Sequence, residues 1–380
     1  MNVTLPQLDS GLPHLADVVP SVLATMGAPG FQATLTLGDA AAGACVLLID
    51  GLGAELLDTY ATDAPVLAEL RGQTLQVGFP ATTAAGLAAI GTGYRSGQHG
   101  MVGYTFRVPD AGVINALRWR GHPRGPDLRE RVVPEQVQPL PTTFERAAAA
   151  GIATHVVSGS EFAGSGLTRA VLRGARYVGV HALGDLAAAV ASVIDGRGFC
   201  YGYHSELDTI GHLYGPGSPA WRMQLRQVDR LVESVVDGLP PGGLLAVVAD
   251  HGMICVDEQQ TVDIDASRVL LDGVTAIGGE ARARHVYTDD GAAERVLAAW
   301  REELGNRAWV AGRDEAIDAG WFGGPVADRV RPRIGDVVAA ARDCAVLVRR
   351  DTEPSASSLV GHHGSFTPAE QRVPLLLARG

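Results

Sequence analysis

Ala44-Cys45-Val46-Leu47-Leu48-Ile49-Asp50-Gly51-Leu52-Gly53 is a run of apolar residues with no polar alternation, stopped by an Asp-Gly turn signal. An uninterrupted apolar run of that length suits a strand buried on both faces, as in a parallel sheet covered by helices. Similar short runs recur at 75–79, 153–157, 177–180, 198–203, 244–249 and 374–378. Between them, 142–150, 186–194 and 220–236 have the length and composition of helices. The alternation predicts an α/β fold, a mostly parallel sheet with helices on both faces.

Working outward, 262–340 carries its own strand, helix, strand pattern at 283–288, 292–304 and 308–311. It is expected to be a small α+β cap or insert, with 1–261 and 341–380 forming the main unit. The runs at 345–348 and 374–378 are expected to rejoin the main sheet. Residues 105–140 hold five prolines and six arginines, which predicts a loop-rich, solvated excursion.

Composition narrows the chemistry. The 380 residues are 46% hydrophobic and 19% charged, the profile of a globular chain with room for a sizeable core. A formal charge of −11 disfavours a nucleic-acid coat function or an anionic membrane surface. All 31 basic residues are arginine. Schiff-base enzymes, pyridoxal-phosphate enzymes and P-loop kinases each need a lysine at the reacting centre and are excluded. Cys45, Cys200, Cys255 and Cys344 lie far apart in sequence and are expected to be buried free thiols. No run reaches the length of a membrane span and the first 30 residues do not resemble a signal peptide, so a cytoplasmic protein without a membrane partner is expected.

Polar residues cluster where open α/β sheets bind ligands, beyond the carboxyl ends of strands. Asp50 follows the first run. In Tyr203-His204-Ser205-Glu206-Leu207-Asp208-Thr209-Ile210-Gly211-His212, Asp208 and His212 stand four apart and share a face if the segment is helical. Asp250-His251 ends the 244–249 run, and Gly361-His362-His363-Gly364 precedes the last one. Each has an ordinary alternative: a turn, a helix cap, a surface histidine. Together, Asp50, Asp208, His212, Asp250, His251 and one of the two final histidines are too many ligands for one tetrahedral zinc and enough for two open sites. Two ions about 4 Å apart can clamp the attacking and leaving oxygens of a phosphoryl or sulfuryl group. For a nucleophile, Phe79-Pro80-Ala81-Thr82-Thr83-Ala84 puts Thr82 or Thr83 at the start of a small-residue helix. There threonine commonly caps, and helix amides can also bind phosphate.

In this order and spacing, Asp-Gly after the first strand, Phe-Pro-x-x-Thr, a Thr-Gly, His99-Gly100, Asp-x-x-x-His after a tyrosine-containing strand, Asp-His-Gly-Met and a late His-Gly resemble the alkaline phosphatase superfamily. The similarity is greatest to its nucleotide pyrophosphatase/phosphodiesterase (type I phosphodiesterase) branch and covers about residues 43–378. It implies an alkaline phosphatase-like catalytic domain and two divalent ions, zinc first, with manganese or iron as alternatives. Asp50, Thr83, Asp250 and His251 would lie at one ion and Asp208, His212 and His363 at the other, with Thr83 as nucleophile.

The substrate implied is a small phosphorylated molecule such as a nucleotide, cleaved at a phosphodiester or pyrophosphate bond through a phosphothreonyl or nucleotidyl-threonine intermediate. Two positions depart from the family pattern. Gly86 stands where asparagine is common, and Tyr104 replaces the asparagine that donates to a phosphoryl oxygen. A phenol can donate one such bond, so Tyr104 is expected to contact substrate.

The alternatives within the superfamily are a phosphate monoesterase, a phosphonate hydrolase, a sulfatase and a phosphomutase; outside it, a binding module stabilised by metal. A sulfatase would need a cysteine or serine convertible to formylglycine, and no cysteine lies near Thr83. Phosphonoacetate enzymes hold the substrate carboxylate with lysines, which this chain lacks. Without lysine to meet a monoester's extra charge, diesters are the expected substrates. Tyr104, Phe106 or Trp119 could stack on the second substituent, and Arg118 or Arg120 could swing inward.

Overall fold

A computed structural model describes residues 4–380. Two larger sheets are built from β1 (Gly43–Ile49), β2 (Arg71–Gln76), β3 (Thr154–Gly159), β4 (Arg176–Val180), β5 (Phe199–His204), β6 (Gly243–Val248), β7 (Val274–Glu280), β8 (Ala283–Thr288), β9 (Ala308–Gly312), β10 (Val337–Ala341) and β11 (Arg372–Arg379). The main sheet has 7 strands in the order β2-β11-β6-β1-β5-β3-β4. β1 runs parallel to β5 and β6, and β3 runs parallel to β5 and β4. β11 is antiparallel to both its neighbours, β6 and β2. The mixed α/β architecture expected from the alternation is therefore present.

The reason lies in which strands are central. Every residue of β1 and of β6 is buried, so only unbroken apolar sequences fit there. β2, at the sheet edge, is largely polar in sequence. The apolar run at 75–79 only begins as strand: pairing to β11 stops at Gln76, and Val77 to Phe79 turn away, still buried, towards the site. Apolar character there reports burial, not extension.

Helices flank the sheet. These include α1 (Thr83–Thr92), α2 (Thr143–Ala149), α3 (Leu183–Asp195), α4 (Glu206–Tyr214) and α5 (Pro219–Asp237). α2 starts with a capping box in which the Thr142 hydroxyl accepts from the Glu145 N–H and the Glu145 carboxylate accepts from the Thr142 N–H. α5 has Ser218 as its cap and Pro219 at its first position, and buries Trp221, Leu225, Val228, Val232 and Val235 as one stripe at helical spacing. Among the described residues, no helix is long and apolar enough to cross a membrane.

A second core forms around α6 (Ala293–Leu304) and the antiparallel sheet β7-β8-β10-β9. Val296, Trp300 and Leu304 pack there against Val286, Val310 and Val337, and the Trp300 indole donates to the Leu270 carbonyl at 3.0 Å. The run at 345–348 does not rejoin the main sheet: Val346–Val348 pairs in parallel with Thr261–Asp263, and Ala345 and Leu347 belong to this second core. Its apolar residues specify burial, and nothing local specifies which sheet provides it.

Residues 105–140 also differ from the expected open loop. Thr105–Val108, Gly112–Asn115 and Arg120–Gly121 form a three-stranded sheet, and Phe106 and Trp119 are fully buried. The Trp119 indole donates to the Val132 carbonyl at 2.6 Å, and its ring fills the space left by the missing side chain of Gly166. Arg118, Arg120, Arg124, Arg129 and Arg131 remain outside. All four cysteines are free, but only Cys45 and Cys200 are buried, side by side on β1 and β5; Cys255 is exposed and Cys344 is half-buried.

The two cores are joined by a buried ion pair. Arg282, in the β7–β8 turn, meets Glu370 through Nη2 to Oε2 at 2.7 Å and Nε to Oε1 at 3.0 Å, with both side chains fully buried. Glu370 also accepts from the Ser365 N–H and the Thr367 hydroxyl. Glu370→Ala strands the guanidinium without a counter-charge and is expected to cost about 3–5 kcal/mol. Arg282→Met combined with Glu370→Leu should recover much of that loss. Chemical denaturation of the variants measures both.

Candidate metal centre

Register brings the polar strand ends together. Ile49 lies beside His204, and Leu48 beside Val248, so the residues after β1, β5 and β6 leave the sheet at one place. Asp50, Asp250 and His251 are delivered directly, and each is buried. Asp208 and His212 lie on α4, four residues apart, with Nε2 and Oδ2 3.4 Å from each other. The loops approach very closely: Gly51 has φ +76°, and a side chain there would lie 3.0 Å from the Asp208 Cβ. The fourth segment, Gly361–His362, pairs with Ile254–Cys255 and carries His363 into the same space.

The histidines are aimed by their outer nitrogens. His212 Nδ1 bonds the Gly361 carbonyl at 2.7 Å, His363 Nδ1 that of Ala81 at 2.8 Å, and His251 Nδ1 that of Gly252 at 3.1 Å. A carbonyl only accepts, so the network assigns the proton to Nδ1 and leaves each Nε2 as a lone pair facing inward. The Nε2 atoms of His212 and His363 are 3.2 Å apart, and the rings of His251 and His363 stack at 3.5 Å. His251 Nε2 lies 3.4 Å from Asp50 Oδ1, 3.6 Å from Asp250 Oδ2 and 3.2 Å from the Thr83 hydroxyl.

Ligand atoms of Asp208, His212 and His363 all lie within 4.8 Å of one another, as do those of Asp50, Asp208 and His251. Asp50 Oδ1, Asp208 Oδ1 and Asp250 Oδ2 are buried without a hydrogen-bond partner. Orphaned carboxylate oxygens facing inward lone pairs are what divalent cations satisfy, so these residues fit a metal centre. Burial, followed by the charges of Asp250 and Asp208, pushes the Asp50 carboxyl well above its ordinary range, although the Tyr203 hydroxyl donates to it at 2.5 Å. Burial raises Asp208 and Asp250 as well, and lowers His251; it also lowers His363, with neighbouring His251 and His212 adding to the effect.

α1 abuts this cluster. Thr82 is its extended N-cap, but its hydroxyl makes no capping bond and instead donates to Glu280 Oε2 at 2.6 Å. Thr83 begins the helix and faces His251. A side chain at Gly86 would lie 2.5 Å from the Asp250 Cβ, so the glycine at this position lets the helix rest on a site carboxylate.

Tyr104 is half-buried, and its N–H lies against the Glu280 carboxyl. Phe106 and Trp119, considered as stacking surfaces, are sealed in the core, and Arg118 and Arg120 remain exposed outside. His362 is buried beside His212, with ring centroids 6.0 Å apart. Two contributors escaped the sequence reading. Tyr203 was visible only as part of a strand motif, and Glu280, whose carboxyl burial pushes up to about 8, comes from the end of β7 in the second sheet with no local signal at all.

Burial shifts the three aspartates towards holding a proton and shifts His251 and His363 towards the neutral ring that carries only its Nδ1 proton. Adding zinc to chelated protein in weakly buffered solution near neutral pH is therefore expected to release protons. Apparent affinity should weaken by about tenfold or more between pH 7.5 and pH 5.5. A pH indicator and competition with a chromophoric chelator measure the two; binding without proton release would show the carboxyls already ionised.

Residues 44–366 match the family model for type I phosphodiesterase/nucleotide pyrophosphatase. Human ectonucleotide pyrophosphatase/phosphodiesterase family member 7 is 40% identical over 62 residues, spanning 15% of this chain and 14% of that protein. Among solved structures, murine ectonucleotide pyrophosphatase/phosphodiesterase 5 superposes with a TM-score of 0.68 at 16% identity, covering 89% of this chain and 88% of that one. That protein has also been solved in an inactive threonine-to-alanine form in complex with AMP. Phosphonoacetate hydrolase from Sinorhizobium meliloti 1021, in complex with phosphonoformate, gives 0.65 at 19% identity, covering 89% and 90%. With most of its length matched, the chain belongs to the type I phosphodiesterase/nucleotide pyrophosphatase family.

Proposed function

We propose that this protein is a metal-dependent hydrolase of phosphodiester or pyrophosphate bonds, with Thr83 as nucleophile. The observation that carries the reading is the Thr83 hydroxyl, 3.2 Å from His251 Nε2, at the first position of α1 and beside three orphaned carboxylate oxygens. Asp50, Thr83, Asp250 and His251 would hold one divalent ion and Asp208, His212 and His363 the other. Zinc suits this carboxylate and imidazole set, with manganese or iron as alternatives. When bound, the ions lower the hydroxyl pKa and offset phosphoryl charge.

Thr83 Oγ1 attacks phosphorus, a new O–P bond forms, the bond to the leaving alcohol or phosphate breaks, and the hydroxyl proton ends on the departing oxygen. Water then hydrolyses the phosphothreonine ester and restores the hydroxyl. The N-terminal amides of α1 face the transferring group, and Tyr104 is assigned to its surroundings as a substrate contact. The inactive threonine-to-alanine form of the murine relative supports a threonine in this role, and its AMP a nucleotide-type substrate. The region 262–340 is taken as a cap on a catalytic unit formed by 1–261 and 341–380. Four free cysteines suit a reducing compartment, and the cytoplasm is proposed.

Thr83→Ala is expected to keep the fold and most of the metal while lowering turnover of a nitrophenyl phosphodiester about a thousandfold, roughly 4 kcal/mol of barrier. Elemental analysis should find two ions per chain. Retained turnover would remove Thr83 as nucleophile. On the same zinc-loaded preparation, the diester is expected to have the higher kcat/KM; a tenfold monoester advantage would overturn the diesterase reading.

A further inference from the structure

The β7–β8 hairpin of the insert reaches the nucleophile segment. Glu280 and Ala283 pair across its end, leaving Ala281 and Arg282 as the tip. On one side Arg282 is locked to Glu370. On the other, Glu280 Oε2 accepts the Thr82 hydroxyl at 2.6 Å, which is a tight contact, and Thr82 immediately precedes Thr83.

Glu280 also touches the segment that carries His363. A side chain on Gly364 would lie 3.1 Å from the Glu280 Cγ and 3.2 Å from its Oε1. The Gly364 carbonyl accepts the Ala81 N–H at 3.1 Å, and the Ala81 carbonyl accepts from His363 Nδ1 at 2.8 Å. Ala81 to Thr83 and His363 to Gly364 are thus laced together, and the Glu280 carboxyl sits on the lacing. Thr82 does not cap α1, and the Glu280 carboxyl, which also lies against the Tyr104 N–H, keeps its Oε1 without a hydrogen-bond partner.

We propose that Glu280 is a positioning residue, holding Thr82, and through it the Thr83 hydroxyl, at the angle from which attack occurs. This rests on Thr83 being the nucleophile. Reactive geometry is sensitive to shifts of about 1 Å, so a single hydrogen bond next to the nucleophile can govern kcat without altering substrate affinity.

The test is a double-mutant cycle on zinc-loaded protein with a nitrophenyl diester. Glu280→Ala and Thr82→Val are each expected to lower kcat about tenfold, with KM within about twofold and metal content unchanged. The double variant should be no slower than the slower single, because both remove the same bond. Glu280→Gln, whose amide oxygen still accepts from Thr82, should restore kcat to within about threefold of the unmodified protein. Additive losses, an unchanged kcat in Thr82→Val, or a loss that follows metal content would each overturn the proposal. Turnover surviving in Thr83→Ala would instead defeat the nucleophile assignment, which that variant tests independently of the cycle.

Discussion

Two carboxyl groups buried at the ends of the neighbouring parallel strands β1 and β6, Asp50 and Asp250, with a third, Asp208, set against them from α4, are the constraint that organises this protein. Like charges so placed cannot all ionise in a dry environment without compensation, and among the described residues no arginine hydrogen-bonds any of them. The surroundings are arranged for a cation: imidazoles turned by backbone carbonyls, glycines that let loops touch, and a helix resting on Asp250. A fold stabilised only for its own sake would have filled this space with apolar side chains.

The parts of this plan that depend on local sequence were legible. β1 could be read because a strand buried on both faces tolerates nothing but apolar residues, and Asp50, Asp250 and His251 because they follow such strands directly. The pairing of Asp208 with His212 followed from helical spacing. What failed were inferences that needed a partner's identity. The run at 345–348 is buried, but by a second core; Phe106 and Trp119 are aromatic, but enclosed; Cys255 sits among apolar neighbours in sequence and faces outward in space. Glu280 meets Thr82 across 198 residues, a separation at which one glutamate resembles any other.

The second core therefore reaches the site directly. Its hairpin is tied down twice, by Arg282 to Glu370 and by Glu280 to Thr82, so motion of the second core would be transmitted to the segment that carries the candidate nucleophile. Substitutions in that second core can therefore reach the candidate nucleophile segment without changing any residue in it.

The antiparallel β11 has a consequence for synthesis. Although last in chain order among the described strands, it lies between β6 and β2, inside the sheet rather than at its rim. During translation the earlier strands emerge with a gap where β11 belongs, and β2 has no neighbour until it arrives. His363 emerges just before it, so the full ligand set is also a late event. The nascent chain must remain unaggregated, with an apolar strand edge open, until β11 has left the ribosome, which makes this protein a candidate for chaperone assistance and for metal loading only once that strand is in place.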